Sequence, residues 1–187
     1  KVGLQIGVGT NGVRLKRPVL ERILPHIAYL RFNISGGERA RYSEIMGLKG
    51  RDFDQVVQNI RDAVEIQKRD NLPLNINMQM VTTPDMKDQI IPLTKLAKEL
   101  RPNYVIFKHC ADDREGFLGV DYSRYGELHD TFKEAESMKE PDMDVVVKWS
   151  RLDGKRNYKR CYGPPFLLQL SGAGTIAPCG QFFQERF

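Results

Sequence analysis

Leu4, Ile6 and Val8 alternate with Gly3, Gln5 and Gly7, the two-residue period of a β-strand. Val19, Leu20, Ile23 and Leu24 then share one face of a short helix. Over residues 28–35 the alternation returns, with Ala28, Leu30, Phe32 and Ile34 on one face and Tyr29, Arg31, Asn33 and Ser35 on the other. Phe53, Val56, Val57, Ile60, Ala63 and Val64 predict an amphipathic helix over 53–68. A third strand spans 74–82, where Leu74, Ile76, Met78 and Met80 oppose Asn75, Asn77, Gln79 and Val81. Thr83-Pro84-Asp85 places a capping residue before a proline and opens a helix carrying Ile90, Leu93, Leu96, Ala97 and Leu100. Strands at 104–110 and 144–150 flank a helix at 122–138 built on Tyr125, Leu128, Phe132 and Ala135. The tail changes character: residues 166–170, a Ser-Gly-Ala-Gly turn and residues 175–177 form the pattern of a hairpin.

Strands alternating with helices imply a parallel sheet with right-handed crossovers. A doubly wound sheet, covered on both sides, needs strands apolar on both faces. Here two strands set Arg, Asn, Ser and Gln against aliphatics. One dry face under helices and one polar face suit an open or partial barrel whose interior holds a polar ligand. A sheet with one solvent-exposed face is the plainer alternative.

Composition narrows this only modestly. With 187 residues, 41% hydrophobic and 28% charged, the chain has the make-up of a soluble globular domain with a short appendage. No run approaches the length of a membrane span, and the opening residues read as a strand, so no signal peptide is expected. Three cysteines do not make a disulfide scaffold, so a cytoplasmic setting is expected. The chain opens as if mid-strand and closes abruptly on Phe187, so we expect a piece of a longer protein. The net charge is +5, densest around Lys155, Arg156, Lys159 and Arg160. That run reads either as a solvated loop or as a contact for an anionic substrate or nucleic acid. Only Tyr158 lies there to stack on a base.

Two cysteines carry the strongest spacing signal. Cys161, twelve residues, Gly174, four residues and Cys179 lie on the predicted hairpin. Thiolates so placed hold iron–sulfur clusters or zinc, although two do not complete a four-ligand site and unrelated thiols remain the alternative. By contrast, Gly7-Val8-Gly9-Thr10-Asn11-Gly12 matches a dinucleotide fingerprint by letter only. That fingerprint needs a helix starting at the glycines, and Pro18 places the helix later.

Taken in order, these residues resemble the radical S-adenosylmethionine (SAM) family with a SPASM-type C-terminal extension. The resemblance rests on Thr10-Asn11-Gly12 and on Asn33-Ile34-Ser35-Gly36, with Asn replacing the usual first Ser. It rests also on the helix Gly50-Arg51-Asp52-Phe53-Asp54-Gln55-Val56 running to Ile60, and on Cys161, Gly174 and Cys179. It implies an α/β fold: a partial (β/α) barrel of the radical SAM type from the third strand onward, ending in a β-hairpin. Residues 1–152 would be the C-terminal portion of a (β/α)6 barrel and 153–187 the start of an auxiliary iron–sulfur domain. The family's Gly-Gly-Glu segment, which holds the cofactor's amino group, falls earlier in the barrel. Gly36-Gly37-Glu38 is therefore read as a turn.

The resemblance further implies SAM and a [4Fe–4S] cluster whose Cys-x3-Cys-x2-Cys ligands lie outside this chain, leaving the chain inactive by itself. Cys161 and Cys179 would be partial ligands of an auxiliary [4Fe–4S] cluster. Thr10, Asn11, Asn33, Ser35 and Gln79 are the candidate cofactor-binding residues. Where members carry an Arg for the SAM carboxylate, this chain reads Glu44-Ile45-Met46-Gly47. Arg39, Arg41 or Arg31 must then substitute, or the contact is absent. On the substrate side, strand ends nominate Lys108, His109 and Cys110, with Lys148 and Trp149 beside them. Strand parity leaves at most one of Lys108 and His109 pointing inward. The expected activity is hydrogen abstraction by a 5′-deoxyadenosyl radical, in a peptide or protein maturase or on a small molecule. Flavodoxin or ferredoxin is the expected electron donor, and neither membrane nor nucleic acid is an expected partner. A non-catalytic barrel-like binding or regulatory protein and a zinc-supported nucleic-acid module are the alternatives.

Overall fold

The computed structural model describes residues 3–112, 116–155, 158–180 and 183. Five parallel strands form one sheet: β1 (Gly7–Thr10), β2 (Tyr29–Asn33), β3 (Asn75–Thr82), β4 (Tyr104–His109) and β5 (Asp144–Val147). Their spatial order is the order of the chain, β1-β2-β3-β4-β5. A doubly wound sheet reverses direction at a switch point and takes helices on both faces. This sheet never reverses, which is the topology of a barrel wall.

Leu30, Phe32, Ile34, Ile76, Met78, Met80, Val105 and Phe107 are all fully buried. They share one face, because the register pairs Phe32 with Met78 and Met78 with Val105. Onto it pack α1 (Arg17–Ile23), α3 (Gly50–Arg69), α4 (Ile90–Leu100) and α5 (His129–Ser137), through Leu20, Val56, Ile60, Ala63, Leu93, Ala97, Phe132 and Ala135. Each of the Leu, Ile, Val and Phe side chains among them contributes about 1.5–3 kcal/mol on leaving water. The start of α3 is fixed by Asp52, whose carboxylate accepts the Lys49 N–H at 2.9 Å. Lys68 and Arg69 stand in its last turn, where the helix dipole favours cations.

Several boundaries differ from the sequence pattern. β1 begins only at Gly7, and Leu4 and Ile6 are exposed, because no further strand lies against this edge among the described residues. Val19 is also exposed, so the buried side of α1 is Leu20 with the following Leu24. The stretch from Pro84 opens as a 3-10 turn, Pro84–Gln89, before α4, and Thr83 makes no side-chain cap. Similarly, Tyr122–Leu128 is a 3-10 segment ahead of α5. β5 stops at Val147, and Trp149–Arg151 is a 3-10 turn. An additional helix, α2 (Arg39–Met46), has no apolar stripe and buries Tyr42.

The chain divides into two compact units: Lys1–Cys110 with Asp121–Asp153, and Ala111–Val120 with Gly154–Phe187. The second unit contains the short antiparallel hairpin β6 (Gln169–Leu170) and β7 (Ile176–Ala177). Its turn needs Gly174, which has φ +85°, and Ser171 Oγ accepts the N–H groups of Ala173 and Thr175.

Candidate functional site: the polar face of the sheet

Opposite the helices, the register lines up Gly9, Arg31, Asn77, Tyr104 and Asp144 in one row. The next row towards the C-terminal strand ends carries Asn33, Gln79, Ile106 and Val146. Val81 and Lys108 follow. The glycines of β1 have a direct explanation here. A Cβ on Gly7 would collide with the Tyr29 ring, and one on Gly9 would lie 3.0 Å from Arg31 Nη2. They clear space for two long side chains of β2, and the first helix begins only at Arg17, so no helix N-terminus follows the glycines as the dinucleotide fingerprint requires.

Asn33 and Gln79 satisfy each other, Gln79 Nε2 donating to Asn33 Oδ1 at 3.0 Å. Ser35 lies just past β2, half-buried and two residues beyond Asn33. Thr10 and Asn11 organise the turn at the tip of β1. Thr10 Oγ1 accepts the Gly12 N–H and Asn11 Oδ1 accepts the Val13 N–H. In register Thr10 pairs with Phe32, so its side chain belongs to the helix-facing side. The turn is tied down by a residue the sequence did not reveal: Asn59 of α3, 1% exposed, donates to the Gly12 carbonyl at 2.6 Å.

Gly36 and Gly37 lead into α2. A Cβ on Gly37 would fall 2.1 Å from the Leu93 nitrogen, so glycine is there for close approach to α4. Gln89 clasps this bend, accepting the Gly37 N–H and donating to Glu38 Oε2. Of the three arginines considered for a carboxylate, Arg41 is held by Glu44 and Asp88, and Arg39 by Asp54. The Arg41 guanidinium holds Asp88 below the usual carboxylate range.

At the end of β4, Lys108 and His109 part as parity requires. Lys108 is on the polar face, while His109 is buried on the helix side, its ring 6.1 Å from that of Tyr122. Tyr125 and Tyr122 frame Cys110: its N–H donates to the Tyr125 oxygen, and its carbonyl accepts from the Tyr122 hydroxyl. Tyr125 itself donates to the Thr82 carbonyl at 2.7 Å, and burial pushes its phenol up to about 12. Trp149 serves packing instead. Its Nε1 donates to Glu136, it meets Phe132 edge-on, and Lys133 sits 4.7 Å above its ring.

No protein-family model matches the chain, and no curated protein matches it in sequence. Solved structures do match. Streptococcus suis SuiB bound to S-adenosylmethionine aligns with a TM-score of 0.67 at 14% identity, over 98% of this chain and 44% of its own. SuiB bound to precursor peptide SuiA gives 0.63 at 14%, over 94% of this chain and 42% of its own. Native anSMEcpe with bound AdoMet gives 0.62 at 14%, over 98% and 52%. The fold is the partial α/β barrel of these structures. The chain spans about half the length of each, between 42% and 52%.

The fit to the implied groups differs between the two units. The barrel-wall face carries carboxamides and a guanidinium, with Asn77 Oδ1 and Nδ2 and Arg31 Nε buried and, among the described residues, without hydrogen-bond partners. In the second unit, Cys161 is exposed, Cys179 is half-buried, and neither is in a disulfide. Among the described residues no three His, Cys, Asp or Glu side chains gather as a metal site. The described residues therefore do not by themselves complete a cluster site. Lys155, Lys159 and Arg160 of the basic run are exposed, and Arg156 lies outside the described residues. Among the described residues no helix is long and apolar enough to cross a membrane.

Proposed function

We propose that this chain is the cofactor-flanking and substrate-side part of a radical SAM enzyme that acts on a peptide or protein. The observation that carries this reading is a barrel wall matching two SAM-bound structures over 98% of its length, with its polar face turned away from the helices. The SuiB structure with a precursor peptide supports a peptide substrate. In this reading β1–β4 are the third to sixth strands of the barrel, and β5 adds one beyond the six.

Held beside a reduced [4Fe–4S] cluster, SAM would supply the radical chemistry for abstracting a substrate hydrogen. The residues of this chain bind and orient. Asn33 and Ser35 offer hydrogen bonds to a ribose, and Gln79 holds the Asn33 amide in place. Asn11 and Thr10 shape the loop at the β1 tip, with Asn59 beneath it. Lys108 faces the substrate side, with His109 and Cys110 behind it. Cys161 and Cys179 would join further cysteines of the intact protein around an auxiliary cluster. A flavodoxin or ferredoxin in the cytoplasm would supply the electron.

The test is anaerobic reconstitution of the intact protein with iron and sulfide, followed by reduction and assay of 5′-deoxyadenosine. SAM cleavage is the expected result. Failure to bind iron and SAM would leave a barrel-like binding protein instead. Cys161→Ala and Cys179→Ala should each lower iron content while SAM cleavage persists; unchanged iron and sulfide would make both thiols structural.

A further inference from the structure

Two neighbouring pairs on the polar face behave differently. Asn33 and Gln79, opposite each other in register, are joined by a hydrogen bond. One step deeper, Arg31 and Asn77 are also directly opposite, yet no hydrogen bond joins them. Asn77 is 1% exposed, and among the described residues neither its amide nitrogen nor its oxygen has a hydrogen-bond partner. Arg31 Nε is likewise buried and unpartnered, and among the described residues no carboxylate pairs with this guanidinium.

In β1, Gly9 leaves a vacancy into which Arg31 extends, its Nη2 only 3.0 Å from where a Cβ would stand. A side chain at position 9 would crowd the guanidinium, so the glycine leaves Arg31 room on the β1 side. Leaving buried polar groups unmatched is costly, so each such group calls for a physical explanation, and a bound partner is one. The chemistry of that partner can be read from the groups. Arg31 Nε–H and Asn77 Nδ2 are donors, while Asn77 Oδ1 is an acceptor. A carboxylate with an N–H close by answers all three. The surrounding charge agrees, since the described strand residues of this face set Arg31 and Lys108 against Asp144, which lies exposed at the start of the edge strand.

We propose that Arg31 and Asn77 form a receptor for an acidic residue of the peptide substrate, the side-chain carboxylate on Arg31 and Asn77 Nδ2 and a main-chain N–H on Asn77 Oδ1. This rests on the reading of the chain as part of a peptide-acting SAM enzyme. The methionyl end of SAM carries the same pair of groups, and the experiment separates the two sources.

The probes are fluorescein-labelled alanine pentapeptides with a central glutamate, glutamine or lysine, titrated by anisotropy against the intact protein. SAM affinity is measured in parallel by equilibrium dialysis. The glutamate peptide should bind about tenfold tighter than the glutamine peptide, as expected for charge-assisted hydrogen bonds. Arg31→Met and the near-isosteric Asn77→Asp should each erase that preference and leave SAM affinity within about twofold. Loss of SAM binding with the glutamate preference intact would overturn the proposal and assign the pair to the methionyl group. No change in either would also overturn it and leave a water-bridged interior pair. A wild-type protein that prefers glutamate but binds no SAM would support the receptor while sinking the wider functional reading.

Discussion

Tyr42 shows how a single polar atom can be carried at a loss. It is a fully buried residue of α2, its ring 5.3 Å from Phe53, and among the described residues its hydroxyl has no partner. Burial raises its phenol above the ordinary tyrosine value. Removing an unpaired buried hydroxyl while keeping the ring should help the fold, so Tyr42→Phe is expected to stabilise the protein by roughly 1 kcal/mol. Thermal unfolding of the variant measures it, and a lower midpoint would show that the hydroxyl has a partner. The buried amides at this scale were only half legible. Asn77 and Gln79 read as polar-face residues from alternation alone, but their burial depends on what lies across the sheet. The role of Gly9 was hidden altogether, because a glycine's reason is another residue's side chain, here that of Arg31.

At the scale of elements, alternation succeeded where a strand has neighbours on both sides. Leu30, Phe32 and Ile34 announced β2, and Ile76, Met78 and Met80 announced β3. It failed at the margin, where Leu4 and Ile6 have strand spelling without a strand to pack against. It also missed α2, since Arg39–Met46 is docked through Tyr42 and capped by Gly47 rather than by an apolar stripe. The bend before α2 depends on contact between main chains. Gly37→Ala would drive a methyl into the Leu93 nitrogen and the Pro92 carbonyl carbon, and backbone cannot step aside cheaply. A loss of about 3 kcal/mol in urea-denaturation stability is expected. A loss below about 1 kcal/mol would mean that the bend and α4 can separate without cost.

For the whole molecule, the fold class was visible because the two faces of the strands differ so sharply. The partition into units was less so, because Ala111–Val120 joins the tail and only contacts distant in sequence reveal that. The fold is shared with SAM-bound structures at 14% identity, so what persists is the pattern of faces and turns more than particular residues. The unreversed strand order has a dynamic consequence. β3 is hydrogen-bonded on both sides, whereas β1 offers one edge with no partner strand among the described residues. Amide exchange reads that difference directly, since protection follows the local opening energy. In the intact protein, the proposed barrel requires an earlier strand on that edge, so the amides of Gly7–Thr10 should exchange as slowly as those of Asn75–Thr82. Loop-like exchange in β1 would mean that the wall ends there, and a wall that ends there breathes at the mouth of the site it lines.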